Sequence, residues 1–368
     1  MVDYKFFQEA PLLSMEFINN LDKDNKYNFV PTPRKSTLMG RKINMGFNCY
    51  ALKMNKITNE WEKKTETEKK HWISYINSFQ DHNISQFENY FIDIELYDYF
   101  NKKLTKFNLK NVTKSLLNLV NKNSYQSSEV VIYKTLIADN KQTISTLNEL
   151  GYNLNKKFIF NLNDLGSVEN YLSSYDWSKP WDAGAQFSSL AVYTKTLSLG
   201  LELDLIEFIS NKIDKETGSY FDIKPDNNRQ VINGAMKVIS GLDWLNIPIH
   251  NPKKLIDFCL NNKPIFEGCD LVDYVYVLYK CAKETNYKRN EISEVLKLIL
   301  NDIRKMFNYE YNGFSYFLNK SQTHYYGVRI SKGKNFPDIH GTLLSNWAIV
   351  MILDILEMNK YEFKTIKP

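Results

Sequence analysis

The chain has little cysteine, little histidine, no strong charge of either sign and no membrane-length apolar run. Its four cysteines among 368 residues, Cys49, Cys259, Cys269 and Cys281, form no C-x-x-C pair. That spacing argues against a zinc ribbon or a redox pair, and it predicts free thiols in a reducing compartment. With 47 basic against 42 acidic residues the net charge is only +5, and the lysines are scattered. The densest run, between Glu62 and Lys70, is interleaved with glutamates. A nucleic-acid footprint gathers Lys and Arg on one face, so no nucleic-acid partner is expected. The longest apolar stretch, Leu343 to Leu356, contains Asn346 and Asp354 and is too short to span a bilayer. The opening Met1-Val2-Asp3-Tyr4-Lys5 lacks the apolar segment of a signal peptide. These absences predict a cytoplasmic protein without a transmembrane segment. Nothing in the sequence suggests a cofactor or a metal set, and the oligomeric state is not legible.

What is present is core-forming material: 43% apolar residues, 14% of all residues being aromatic. Residues 1–64 read as an irregular arm packed on the main body, because Pro11, Pro31-Thr32-Pro33 and Gly40 interrupt helices. The basic tract Arg34 to Lys42 reads as a surface loop. From 65 to 368 the chain reads as one all-α domain. It opens on a capping box, Thr65 with Glu68, ahead of the apolar face Trp72, Ile73, Ile76 and Phe79. Further helices are predicted at 113–121, 127–138, 140–150, 166–174, 185–199, 202–213, 228–245, 252–261, 271–283, 290–307 and 341–358. Short connections rich in Asn, Asp, Gly and Pro predict antiparallel helix pairs, and no series of alternating strands appears.

Three segments look alike: a helix ends and runs into an aromatic turn. They are Phe79-Gln80 to Tyr90-Phe91-Ile92-Asp93, Asp214 to Gly218-Ser219-Tyr220-Phe221, and Asn308 to Gly313-Phe314-Ser315-Tyr316. Two segments, Asn140 to Ile144 and Asn228 to Ile232, read as similar helix starts. Gly218 and Gly313 are placed to permit a sharp reversal. The spacing between copies varies, so the repeat is degenerate. Over roughly 70–356 these turns resemble the repeats of the terpenoid cyclase and protein prenyltransferase superfamily. The resemblance implies an α/α toroid, a closed ring of helix hairpins. It implies no catalytic residue, because the Asp-x-Asp-Asp acid motif is missing. Asp270-Leu271-Val272-Asp273 has the wrong spacing, and Cys269-Asp270 lacks a following zinc-ligand histidine.

Candidate site residues fall in loops, where binding groups concentrate. In Asp176 to Gln186, Trp177 and Trp181 are the types that stack on a sugar or an isoprenoid. Asp182 is placed to cap a helix, and Gln186 follows on that helix. The segment Ser321 to Lys334 concentrates His324, Tyr325, Tyr326 and Arg329, which supply proton transfer and a carboxylate or phosphate clamp. Asp338 and His340 stand at the mouth of the last helix as an acid–base pair, Asp338 serving equally as an N-cap. Asp222 and Arg229 bracket a further loop, where Arg229 has Asp222 and Asp226 as neighbours to pair with. Asp270, Asp273 and Tyr274 form a similar candidate group, with Asp270 reading as an N-cap. Catalysis is therefore assigned to His324, Tyr325, Arg329, Asp338 and His340. Substrate binding is assigned to Trp177, Trp181, Asp182, Gln186, Tyr326, Asp222 and Arg229.

Three functions fit. The first is a toroid enzyme acting on a carbohydrate or uronate-containing glycan by lyase, epimerase or hydrolase chemistry. The second is an enzyme on an isoprenoid or polyprenyl-linked substrate, closer to the family resemblance. The third is a non-catalytic helical scaffold for a glycan or protein.

Overall fold

A computed structural model describes residues 2–24, 26–82, 84, 87–102, 128–157, 160, 166–265 and 267–368. The helix expected at 113–121 lies outside them. The fold is mostly helical. In chain order come α1 (Tyr4–Asn20), α2 (Met45–Ile57), α3 (Glu60–Lys63), α4 (Glu66–Ser78) and α5 (94–102). They are followed by α6 (Ser128–Glu149), α7 (Val168–Ser173), α8 (Pro180–Leu197), α9 (Glu202–Ser210) and α10 (Asn228–Leu245). The last four are α11 (Pro252–Asn261), α12 (Gly268–Glu284), α13 (Arg289–Lys305) and α14 (Ile339–Ile355). Two small antiparallel ribbons lie between α13 and α14: β1 (Phe307–Asn308) with β2 (Gly313–Phe314), and β3 (His324–Tyr325) with β4 (Val328–Arg329). No described helix is long and apolar enough to cross a membrane.

Local chemistry accounts for many boundaries. Thr65 and Glu68 close a reciprocal capping box at α4. Ser167, Asn227 and Asp338 accept from backbone amides at the starts of α7, α10 and α14. Pro180 and Pro252 occupy first-turn positions, where a missing N–H costs nothing. The apolar pattern sorts the helices into layers. On α13 the buried residues, Ile292, Leu296, Ile299 and Ile303 among them, form one stripe. On α14 nearly every residue from Ile339 to Ile355 is buried.

The enclosed helices touch in succession. α2 packs on α6, α6 on α8, α8 on α10, α10 on α12, α12 on α14, and α14 on α2. Neighbouring inner helices run the same way, because paired positions rise together along both chains. Asn233 meets Asp270 and Asp243 meets Tyr276 across α10 and α12, and Tyr276 and Tyr279 face Trp347 and Asp354 across α12 and α14. The α8–α10 pair is the closest, since glycine lets the backbones approach. A Cβ on Gly234 would fall 2.6 Å from Pro180, and one on Gly241 would fall 2.7 Å from the Phe187 ring. Ser188 and Ser240 hydroxyls meet between them at 2.7 Å. Outside, α1 lies on α2 and α14, α9 on α7 and α8, α11 on α12, and α13 on α11 and α14.

The three aromatic turns share one construction. Each returns a backbone amide to the preceding helix end: Ile92 to the Phe79 carbonyl (2.9 Å), Phe221 to Lys212 (2.8 Å) and Ser315 to Met306 (3.0 Å). Each then docks on an inner helix through a polar side chain. Asn140 brackets the Phe91 amide and carbonyl at 2.8 and 2.9 Å. Ser219 donates to Val231 carbonyl at 2.9 Å, and Thr342 bonds both Phe314 backbone groups at 3.0 and 3.2 Å.

Several expectations change. The first 64 residues are irregular only between α1 and α2: α1 runs through Pro11, and α2 belongs to the inner layer. Burial of Phe7, Ala10, Phe17 and Ile18 outweighs the one backbone bond that Pro11 cannot make. The helices read at 127–138 and 140–150 are one helix, so Asn140 is a mid-helix anchor and not a start. Gly218 has the left-handed backbone expected of it, with φ +76°. At Gly313 the left-handed residue is instead Asn312, and the glycine is required because Phe17 would meet a Cβ at 2.7 Å.

Candidate functional site: a cation-lined cavity between the inner helices

All six inner helices open onto one cavity of about 210 Å³. Lys53 comes from α2, Lys141 from α6, Lys237 from α10, Asp273 from α12 and His340 from α14, while Tyr326 enters from the β3–β4 turn. Lys53 is 8% exposed and Asp273 1%. Lys141 and Lys237 are partly exposed. None of the three lysines makes an ion pair among the described residues, although eighteen ion pairs form elsewhere. Three further polar atoms on the same lining, Asp273 Oδ2, His340 Nδ1 and Trp347 Nε1, are buried without a hydrogen-bond partner. Unpaired buried polar groups are rare because each forfeits its hydration. Three of the nine buried side-chain atoms without a hydrogen-bond partner among the described residues thus meet in one place.

The electrostatics follow from that crowding. Burial holds the Lys53 ammonium below its usual value, and Lys237 adds to the effect. Lys141 is pushed well below the ordinary lysine range by burial and then by Lys53 and Lys237. Burial, reinforced by Lys237 and Lys53, lowers His340 to about 3, so the imidazole is neutral at pH 7. Burial raises Asp273 to about 6 against the pull of Lys237, and raises the Cys269 thiol to about 11. The imidazole lies flat on Tyr50, with ring centres 4.5 Å apart and planes 6° apart. Among the described residues no group of His, Cys, Asp and Glu is arranged to hold a metal ion.

The structure brings three of the sequence-derived candidates, Asp273, Tyr326 and His340, to this cavity. Tyr326 and Gly327 both have positive φ, 43° and 78°, the backbone of a two-residue primed hairpin turn, and this turn aims the phenol inward. Tyr325 lies behind the lining, fully enclosed, with its hydroxyl on Asp139 at 2.5 Å. His324 is exposed, touching Thr323, and Arg329 is exposed with its Nε 3.4 Å from Ser331 carbonyl. Asp338 is the N-cap of α14. Its carboxylate accepts from the amides of Gly341, Tyr316 and Gln322 at 2.8, 2.8 and 3.0 Å and makes no hydrogen bond to His340 Nδ1.

The remaining candidates lie elsewhere. Trp177 is buried, its Nε1 donating to Leu172 carbonyl at 2.9 Å. Gln186 is buried beside the Tyr171 hydroxyl. Asp182 does not cap α8, whose N-cap is Lys179, and pairs with Lys134 at 2.7 Å. Asp222 pairs with Lys212 at 2.7 Å. Arg229 pairs with neither Asp222 nor Asp226. Its Nε reaches Asp270 at 2.6 Å, and its guanidinium lies over Trp181 at 4.8 Å. Asp270 is accordingly an ion-pair partner and not an N-cap, Glu267 taking that position.

Loop-based reading missed Lys53, Lys141 and Lys237. For two of them a signal was available: Lys53 and Lys237 stand inside helices among apolar or small neighbours, in Tyr50-Ala51-Leu52-Lys53-Met54 and Gly234-Ala235-Met236-Lys237-Val238, whereas Lys141 lies between Asn140 and Gln142. A lysine at such a position must snorkel, pair or face a cavity.

The chain matches no protein-family model, no curated protein and no solved structure.

Proposed function

We propose that the inner helices α2, α6, α8, α10, α12 and α14 close into a ring and that its axial cavity is the active site of an enzyme acting on an acidic sugar. The ring closure rests on the succession of contacts, which returns from α14 to α2. The substrate class rests on one observation above all: three lysines without ion-pair partners share a cavity with an aromatic wall. Cations crowded together and partly desolvated without counter-ions are unfavourable in the empty protein, so an anionic ligand is the natural complement. Tyr50 and Trp347 offer faces for a sugar ring, and a uronate supplies the carboxylate.

The arrangement favours lyase or epimerase chemistry over hydrolysis. Two-carboxylate hydrolysis needs a facing pair of acids, and Asp273 is the single carboxylate of the described lining. Abstraction of the proton beside a uronate carboxyl needs a cation on that carboxyl and a base of moderate strength. Lys237 and Lys53 serve as the cations. Asp273, raised to about 6, is a base near its working range with a free Oδ2. Neutral His340 and the Tyr326 phenol donate hydrogen bonds to the developing charge. An isoprenoid diphosphate would use the same cations, with Met236, Val272, Leu343 and Leu344 around its chain.

The test is thermal shift with galacturonate and glucuronate oligomers, neutral oligosaccharides and prenyl diphosphates side by side. Acid sugars are expected to raise the midpoint by mass action, and Lys237→Met to remove the rise. Asp273→Asn should keep the shift and lose turnover. A response to prenyl diphosphates alone, or to none of the three, overturns the acidic-sugar reading.

A further inference from the structure

We propose that Lys141 is a nucleophilic amine that condenses with the carbonyl carbon of an anionic substrate, such as an open-chain uronate or a 2-oxo acid, to form an imine inside the cavity. This rests on the cavity being an anion site, and it adds a covalent step to that reading.

The three lysines are not equivalent. Lys53 stands near Cys49 and Glu149, which favour its charged form. Lys237 is the cation that acts most strongly on Asp273. Lys141 projects from α6 into the same space, is acted on by both other amines and by Asp273, and forms no ion pair among the described residues. Two cations thus remain to hold a carboxylate. Burial and then its two amine neighbours hold the third amine well below the ordinary lysine range, the direction a nucleophile needs. An amine confined beside a bound carbonyl also gains from proximity.

The chemistry balances with groups already present. The neutral Nζ lone pair attacks the carbonyl carbon, a C–N bond forms, and the C=O π pair moves to oxygen. That oxygen takes the proton of the Asp273 carboxylic acid. The nitrogen returns a proton to Asp273, and the hydroxyl leaves as water on receiving it. The sum is amine plus carbonyl giving imine plus water, with no change of oxidation state. Protonated, the imine withdraws electrons from the adjacent C–H bond, which is the activation that epimerisation or elimination requires.

The experiment uses the full chain with glyoxylate as a small anionic aldehyde, reduction by borohydride, and peptide mapping by mass spectrometry. A carboxymethyl group is expected on Lys141 at several times the level on exposed lysines such as Lys320, and galacturonate should suppress it. Lys141→Arg and Lys141→Met should lose the cavity adduct while their melting curves show a folded protein. Labelling confined to surface lysines, with the galacturonate thermal shift intact, overturns the imine and leaves the acidic-sugar site standing. Loss of both the adduct and the shift overturns both. An adduct that persists equally in Lys141→Met places the nucleophile on another lysine and overturns the assignment.

Discussion

Two buried polar regions sit a few residues apart around the start of α14, and they are built on opposite rules. Around Asp338 every exposed valence is met: three backbone amides converge on one carboxylate, locking the α14 start, the β2 strand exit and the β3 approach together. Around His340, two residues on, the imidazole Nδ1 is unpartnered, and so are Asp273 Oδ2 and Trp347 Nε1 across the cavity. The first region is satisfied in the protein alone and therefore belongs to the architecture. The second is left incomplete by the described residues, and the proposed ligand is what would complete it. Burial alone does not distinguish them, since Asp338 and Asp273 are each 1% exposed. Partner count does.

Removing the satisfied carboxylate should have the largest effect. Asp338→Ala leaves three amides facing a hole, and stability should fall by roughly 3 kcal/mol or more, read as a lower midpoint in urea. A loss below about 1 kcal/mol would show that water replaces the carboxylate readily and would erase the distinction between the two regions. In the cavity the sign should reverse. Lys141→Met removes an amine that lines the cavity without an ion pair and should raise stability by on the order of 1 kcal/mol, while Lys237→Met weakens acid-sugar binding by on the order of tenfold or more. Destabilisation by Lys141→Met would mean that the amine has a partner and the cavity is not waiting for an anion.

The sequence made one region more legible than the other for a physical reason. Asp338 just ahead of an apolar helix is a local signal, and the same is true of the Thr65–Glu68 box and of the aromatic turns. Their hydrogen-bond partners lie within a few residues or follow a repeating pattern. Lys53, Lys141 and Lys237 lie 88 and 96 residues apart along the chain, and only the succession of parallel helices makes them neighbours. Loop chemistry drew attention to His324 and Arg329 because polar residues accumulate there. A surface hairpin accumulates them simply because it is wet. Tyr326 was found by the same reasoning and does reach the cavity, since the primed turn reverses its direction relative to His324.

Acidification should sharpen the contrast within the cavity itself. Asp273 is raised to about 6 from an unfolded value near 3.8, so its buried charge destabilises the fold above pH 6, and that penalty is relieved as pH falls from 6 toward 4. His340 is lowered to about 3 from 6.5. It contributes stability that is present above pH 6.5 and lost as pH falls toward 3. The two trends oppose each other over this window. Asp273→Asn, which removes the relieving group, should therefore lose midpoint temperature more steeply than the parent between pH 6 and 4. His340→Gln should lose it less steeply. Parallel curves for all three proteins would mean that neither group is held out of water.

The smallest effect is expected where the sequence placed the most chemistry. His324 is exposed with Thr323 as its contact, and the Arg329 side chain makes one long bond to a carbonyl at 3.4 Å. The hairpin is pinned instead by groups that alanine would keep. The Thr37 hydroxyl donates to the Arg329 backbone carbonyl at 2.7 Å, and the Tyr325 hydroxyl holds Asp139. The double variant His324→Ala, Arg329→Ala should therefore stay within about 0.5 kcal/mol of the parent and leave the acid-sugar thermal shift unchanged. A lost shift with stability intact would move the anion-binding site from the cavity to the hairpin surface, where an exposed guanidinium meets anions without any desolvation of buried amines. The comparison between satisfied and unsatisfied burial would then describe the interior of the protein without locating its ligand.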